Sequence, residues 1–198
     1  MRRPHTARTD TVTPLARFAE QVNRLCARNA DAASTRRQVL AALRELATVF
    51  RPTPAQRAPG PDGYRAPLLY QDSAGWSVAL VVLRPGEATP PHDHERWGAA
   101  ATVQGVECNR RLAGVCPDAL ELLEEQLLPV GHGYLFAKGE IHQAVGAWPD
   151  GMTLSLHFLV HGSKRELQRC AEAQQPGWST DPAPVAPASA DNHGGAED

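Results

Sequence analysis

The chain has 198 residues, room for one sizeable hydrophobic core but not for two full domains and a linker. Lys and Arg number 20 against 22 Asp and Glu, a formal net charge of -2, so no basic surplus points to nucleic acid and no acidic block to a solvating tail protein. A hydrophobic content of 42% with 21% charged residues is that of a soluble globular domain, and no run of about 18 apolar residues marks a membrane span. The basic residues Arg2, Arg3 and Arg8 have no apolar stretch behind them, so no secretory signal is expected. Cys26, Cys108, Cys116 and Cys170 are scattered without a CxxC, which suggests reduced thiols and a cytoplasmic setting. Cys108 and Cys116 are the one pair that a hairpin would bring together.

Residues 1–12 are expected to be disordered. Thr13-Pro14 then forms a helix cap followed by a first-turn proline, and Leu15, Phe18, Val22 and Leu25 keep helical spacing. Residues 34–49 repeat that pattern with Val39, Leu40, Leu43, Leu46 and Ala47, so the preface 13–50 should hold two amphipathic helices. Pro52 and Pro54 stop helix formation, and Gly60-Pro61-Asp62-Gly63 is turn material. Beyond that the pattern predicts strands over 64–70, 76–83, 99–103, 106–112, 134–137, 141–145 and 152–160. Residues 120–128 are good helix formers in a strand-rich region, and are assigned as a strand. Two helices followed only by strands, with no alternation of the two, predict a small mainly-β barrel with a helical preface, one domain over 13–173. The tail, 174–198, is rich in Pro and Ala and should be disordered.

Of eight histidines, six fall between His92 and His161. In His92-Asp93-His94 an extended backbone projects residues i and i+2 to one face, so the two imidazoles point together while Asp93 and Glu95 point away. His142 lies on a later strand and can bring a third imidazole, and such nitrogen donors suit Fe, Zn, Cu or Ni. In the last strand Met152, Leu154, Leu156, Phe158 and Val160 alternate with Thr153, Ser155, His157, Leu159 and His161. Ser155 and His157 share a face, so the hydroxyl can orient the ring, and His157 can donate or shuttle a proton near a metal. Glu121, Glu124 and Glu125 suit a solvated face and His132 an exposed turn, while His161, at the expected end of the strand, is left open between the strand's end and the pocket rim.

The pattern Gly86-x5-His92-x-His94, then Gly105, then Gly139-x2-His142, resembles the two motifs of the cupin superfamily, which implies a double-stranded β-helix, the jelly-roll barrel. With Trp97-Gly98 and Ser155-Leu156-His157 added, the chain resembles the thiol dioxygenases of the cysteine dioxygenase family over roughly residues 14–168. The fit is nearer to the bacterial branch that includes 3-mercaptopropionate dioxygenase. The resemblance implies that His92, His94 and His142 hold Fe(II), with Ser155 and His157 as catalytic groups. A small-molecule thiol and O2 would then give a sulfinate without an organic cofactor.

Cupins usually carry a Glu ligand with three or four residues between it and the second His, and here those positions are Gly98 and Ala99. Three neutral imidazoles leave a ferrous ion its full double charge, which favours an anionic bidentate substrate. The family has a Tyr two residues after the last-strand His, where this chain has Leu159. Leu159, Trp97 and Arg65 are assigned to the substrate pocket, Arg65 as a replacement for the group that meets a substrate carboxylate. Two other functions fit the same residues: a three-His cupin oxygenase with a chelating non-thiol substrate, or a non-enzymatic cupin that binds metal or a small molecule. No nucleic acid or membrane is expected as a partner, and the chain should be a monomer or small homo-oligomer.

Overall fold

A computed structural model describes residues 13–61, 63–114 and 119–161. The expectations for 1–12, for 174–198 and for Cys116 and Cys170 lie outside the described residues. Among the described residues Cys26 and Cys108 are free thiols, and no helix is long and apolar enough to cross a membrane.

The two predicted helices form α1, Pro14–Asn29, and α2, Ala33–Val49. The Thr13 hydroxyl caps α1 by accepting from the Ala16 amide at 3.2 Å. The apolar stripes face the same side: α1 buries Phe18, Ala19 and Val22, and α2 buries Val39, Ala42, Leu43, Leu46 and Ala47. Pro52 ends the helical run as expected, but Pro54 opens a further single turn, α3, Pro54–Arg57, with a capping box between Thr53 and Gln56. A first-position proline costs a helix nothing, because its missing N–H has no partner there anyway.

Eight strands follow: β1 Leu68–Asp72, β2 Trp76–Leu83, β3 Gly98–Gln104, β4 Val106–Ala113, β5 Glu121–Pro129, β6 Gly133–Phe136, β7 Ile141–Gly146 and β8 Thr153–Val160. One sheet has the order β1-β2-β8-β3-β6 and the other β5-β4-β7, with every pairing antiparallel. Residues 88–92 lie along the free edge of β7 through the bridges Ala88↔Val145 and His92↔His142. With 88–92 counted as the fourth strand of the second sheet, the chain from β2 onward changes sheet at each connection except the β4–β5 hairpin. That order is the jelly-roll topology.

The first sheet is covered on its outer face by α1 and α2. Val78, Leu80 and Val82 of β2, Ala99 and Ala101 of β3, and Leu154, Leu156 and Phe158 of β8 join the helical residues in one core. The alternation along β8 is therefore real: even-numbered residues pack under the helices and odd-numbered ones face the barrel. Full burial of Leu154, Leu156 and Phe158 is worth about 1.5–3 kcal/mol each. This holds β8, the strand between β2 and β3, rigidly at the centre of the sheet.

The segment assigned as a strand over 120–128 forms β5, Glu121–Pro129, and not a helix, because β4 supplies the pairing. Arg110 meets Glu125 at 2.8 Å and Arg111 meets Glu124 at 2.6 Å on opposite faces of the hairpin. Glu121, Glu124 and Glu125 are all exposed, as anticipated from sequence, though not on a single face.

Candidate metal centre

Two prolines and one bulge aim the first histidine. Between the bridges Ala88↔Val145 and His92↔His142 the first segment is one residue longer than β7, so one residue bulges out at Pro90-Pro91. Neither proline has an N–H to give to the ladder. The ladder resumes at His92, whose amide donates to the His142 carbonyl at 3.0 Å while the His142 amide donates back at 2.9 Å. The two imidazoles thus leave directly opposed backbone positions on one face. His94 is tied in by its carbonyl, which accepts from the Gly139 amide at 2.9 Å. Gly139 adopts φ +71°, a turn conformation that favours glycine.

One ring nitrogen from each of His92, His94 and His142 lies within 4.8 Å of the others. Nε2 of His94 and Nε2 of His142 are 3.1 Å apart. His92 Nδ1 is 2.8 Å from the Pro90 carbonyl, which can only accept, so Nδ1 carries the hydrogen and Nε2 keeps its lone pair. His142 Nδ1 lies 3.1 Å from the Tyr134 hydroxyl on the side away from the cluster. Burial lowers the pKa of all three rings, with the neighbouring rings adding to the effect, and His94 is brought down to about 3. The imidazoles are therefore neutral at pH 7, the state in which a histidine ligates metal.

Among the described residues no carboxylate joins them. Asp93 and Glu95 are exposed, as their parity predicts. At Gly98 a Cβ would stand 2.2 Å from the Phe136 ring and 2.7 Å from the Phe158 carbonyl oxygen. The Phe136 ring fills that space and lies against His94 and His142, with centroids 4.8 and 4.5 Å away. Three neutral, converging nitrogens with an aromatic floor fit a divalent transition metal held by imidazole alone.

The odd-numbered residues of β8 reach the same interior. Ser155 Oγ is 3.1 Å from His157 Nε2, and both residues are buried. His157 is close enough to lower the pKa of each of the three clustered rings. Leu159 is half-buried beside Ala100, Leu128, Tyr134 and Phe136, on the barrel side. His161 Nε2 lies 2.8 Å from Ser77 Oγ and is felt electrostatically by His94, whereas His132 is exposed on the β5–β6 turn. Cys108 is buried, and burial pushes its thiol up to about 11, which makes it unreactive.

Two pocket assignments need correction. Trp97 lies on the other side of the sheet, in the core under the helices, 5.3 Å from Phe158 and 5.7 Å from the Arg36 guanidinium of α2. One residue of parity separates it from the barrel interior. Arg65 donates to the carbonyls of Ala55 and Ala58 at 3.2 and 3.0 Å, so it closes the end of α3 and does not enter the barrel. Orphan carbonyls at a helix end attract a guanidinium, and α3 was not foreseen.

Tyr134, Phe136 and Glu107 were missed. Tyr134 and Phe136 share a face of β6, so a period-two reading of 134–137 already pairs them. Nothing in the sequence tells that this face looks at the histidines. Glu107 lies in Val106-Glu107-Cys108-Asn109, where neither face is distinctly apolar.

No family model matches the chain. Among solved structures, it is similar to a protein of Thermus thermophilus at 19% identity and TM-score 0.46, over 57% of this chain and 96% of that one. It is similar to oxalate oxidase, solved with the substrate analogue glycolate, at 18% identity and TM-score 0.44, over 57% and 60%. It is also similar to a cupin superfamily protein of Desulfitobacterium hafniense at 15% identity and TM-score 0.42, over 56% and 91%. Structural neighbours thus include cupin proteins, and the strand order of this chain independently gives the jelly roll.

Proposed function

We propose that this chain is a non-haem iron(II) thiol dioxygenase, which converts a small-molecule thiol and O2 to a sulfinate with both oxygen atoms on sulfur. The carrying observation is the set of three neutral imidazoles with no carboxylate beside them among the described residues, the space for one at Gly98 being filled by Phe136. Iron(II) bound by His92, His94 and His142 supplies Lewis acidity and the one-electron chemistry that lets O2 react with a thiolate.

The chain's own residues do the rest. The Pro90 carbonyl and the Tyr134 hydroxyl orient His92 and His142 through their outer nitrogens. An uncharged ligand set favours an anionic ligand, which selects thiolate over thiol. Phe136 and Leu159 make the walls beside the histidines apolar, which excludes water and favours O2. His157, oriented by Ser155, is the group suited to hold a proton there. Arg65 takes no part. With Arg65 turned away to α3, the proposed thiol need not be an amino acid or a carboxylic acid.

The test is anaerobic purification, metal analysis, and O2-electrode measurements on iron-loaded protein with a panel of small thiols. O2 uptake with one equivalent of sulfinate is the expected result. Iron-loaded, folded protein that consumes no O2 with any thiol overturns the reading. Leu159, which offers no hydroxyl where the family has Tyr, favours a second reading, a chelating non-thiol substrate at the same centre. Product analysis separates the two, since in the second no sulfur is oxidised.

A further inference from the structure

Glu107, the most deeply placed carboxylate among the described residues, has no role in the chemistry proposed so far. It is fully buried at 0% exposure, and neither carboxylate oxygen has a hydrogen-bond partner. His157 Nε2 lies 3.5 Å from its Oε2. β4 and β8 belong to opposing sheets, so this contact crosses the barrel interior. A buried ionised carboxylate is strongly disfavoured unless an opposite charge or a donor faces it.

The geometry at His157 decides which donor that is. Nε2 faces both the Ser155 hydroxyl, at 3.1 Å, and the Glu107 carboxylate. A hydroxyl donates or accepts, but an ionised carboxylate only accepts. With Glu107 ionised, the ring form that opposes no lone pair to the carboxylate is Nε2–H, which leaves the lone pair on Nδ1. Titratable groups that feel this ring are His92 and His94 from the segment before β3 and His142 from β7, while Tyr134 from β6 feels Glu107, Glu140 and Cys108.

We propose that Glu107 is a positioning residue that holds His157 in the tautomer protonated at Nε2, so that Nδ1 is left as the ring's proton acceptor. The role rests on the thiol reading for its purpose. When a thiol binds as thiolate, the S–H bond breaks with the electron pair left on sulfur. The proton forms a bond to Nδ1, and the resulting imidazolium is balanced by the Glu107 carboxylate. The dyad goes from one negative charge to none, so no uncompensated positive charge is created in the barrel.

Long-range 15N–1H NMR of the His157 ring, in metal-free and in zinc-loaded full-length chain, reads the tautomer without needing turnover. The expected result is the Nε2–H form in both. In Glu107→Gln, whose amide can donate to Nε2, the ring shifts towards Nδ1–H, while Ser155→Ala keeps Nε2–H. If a thiol substrate is found, Glu107→Gln lowers kcat by about 100-fold with metal content unchanged. An Nδ1–H ring in the native chain overturns the proposal, and that measurement decides even if the variant does not fold. An Nε2–H ring unchanged in folded Glu107→Gln overturns it equally. Absence of thiol oxidation would sink the dioxygenase reading alone, because the tautomer is measured independently of it.

Discussion

Tyr134→Phe isolates the link between one buried hydroxyl and metal affinity. Tyr134 Oη lies 3.1 Å from His142 Nδ1, with Tyr134 7% and His142 0% exposed. For Nε2 of His142 to ligate, Nδ1 must carry the hydrogen and donate it to that hydroxyl. Removing the hydroxyl strands a buried N–H, at a cost of about 1–3 kcal/mol. The metal-free protein escapes most of that cost by moving the proton to Nε2, where the lone pair of His94 Nε2 stands 3.1 Å away. The penalty therefore falls on the ligating form, and metal binding should weaken by about 10- to 100-fold, within the range usual for loss of a histidine's outer partner. Chelator competition with zinc, or with iron(II) under anaerobic conditions, measures this directly, and urea unfolding of the metal-free variant should stay within about 1 kcal/mol of native. A folded variant with native metal affinity would refute the argument that Tyr134 sets the tautomer.

Gly98→Ala should destabilise the fold by about 1–3 kcal/mol in urea unfolding, because its Cβ meets the Phe136 ring at 2.2 Å and the Phe158 carbonyl at 2.7 Å, and the backbone oxygen cannot move aside. A neutral Gly98→Ala would mean that the carboxylate position is not closed by Phe136. Metal-free protein should lose stability as pH falls below about 6.5, since the unfolded chain then takes up protons that the three buried rings refuse. The loss is at most about 1.4 kcal/mol per pH unit for each ring and continues towards about 3, the pKa of His94. Urea midpoints that do not change between pH 7.5 and pH 5, once the other acidic groups are accounted for, would contradict it. Arg65→Ala should leave substrate KM unchanged and cost under about 1 kcal/mol, measured by steady-state kinetics and thermal unfolding, because only the α3 end loses its bonds. A tenfold rise in KM would return Arg65 to the pocket. Leu159→Tyr should raise turnover of a thiol or change which thiol is preferred, and an unchanged thiol profile would show that the missing hydroxyl is immaterial.

Parity and spacing were enough to determine much of this protein from sequence. Period-two alternation over Met152 to His161 placed Ser155, His157 and Leu159 on one face, because successive strand residues alternate whatever the surroundings. The same rule aligned His92 with His94, and the stripes of α1 and α2 were legible as helical spacing. What depended on contacts between distant strands was not legible. Trp97 and Gly98 are neighbours in sequence, yet one packs under α2 and the other sets the wall of the metal centre. Arg65 has the chemistry of a pocket residue, but the carbonyls of a helical turn ten residues upstream claim it. Glu107 stands in a strand whose pattern favours neither face, and only closure of the barrel brings it to His157. Local sequence dictates which way a side chain leaves its own strand, but which group it then meets is decided by how the two sheets close on each other.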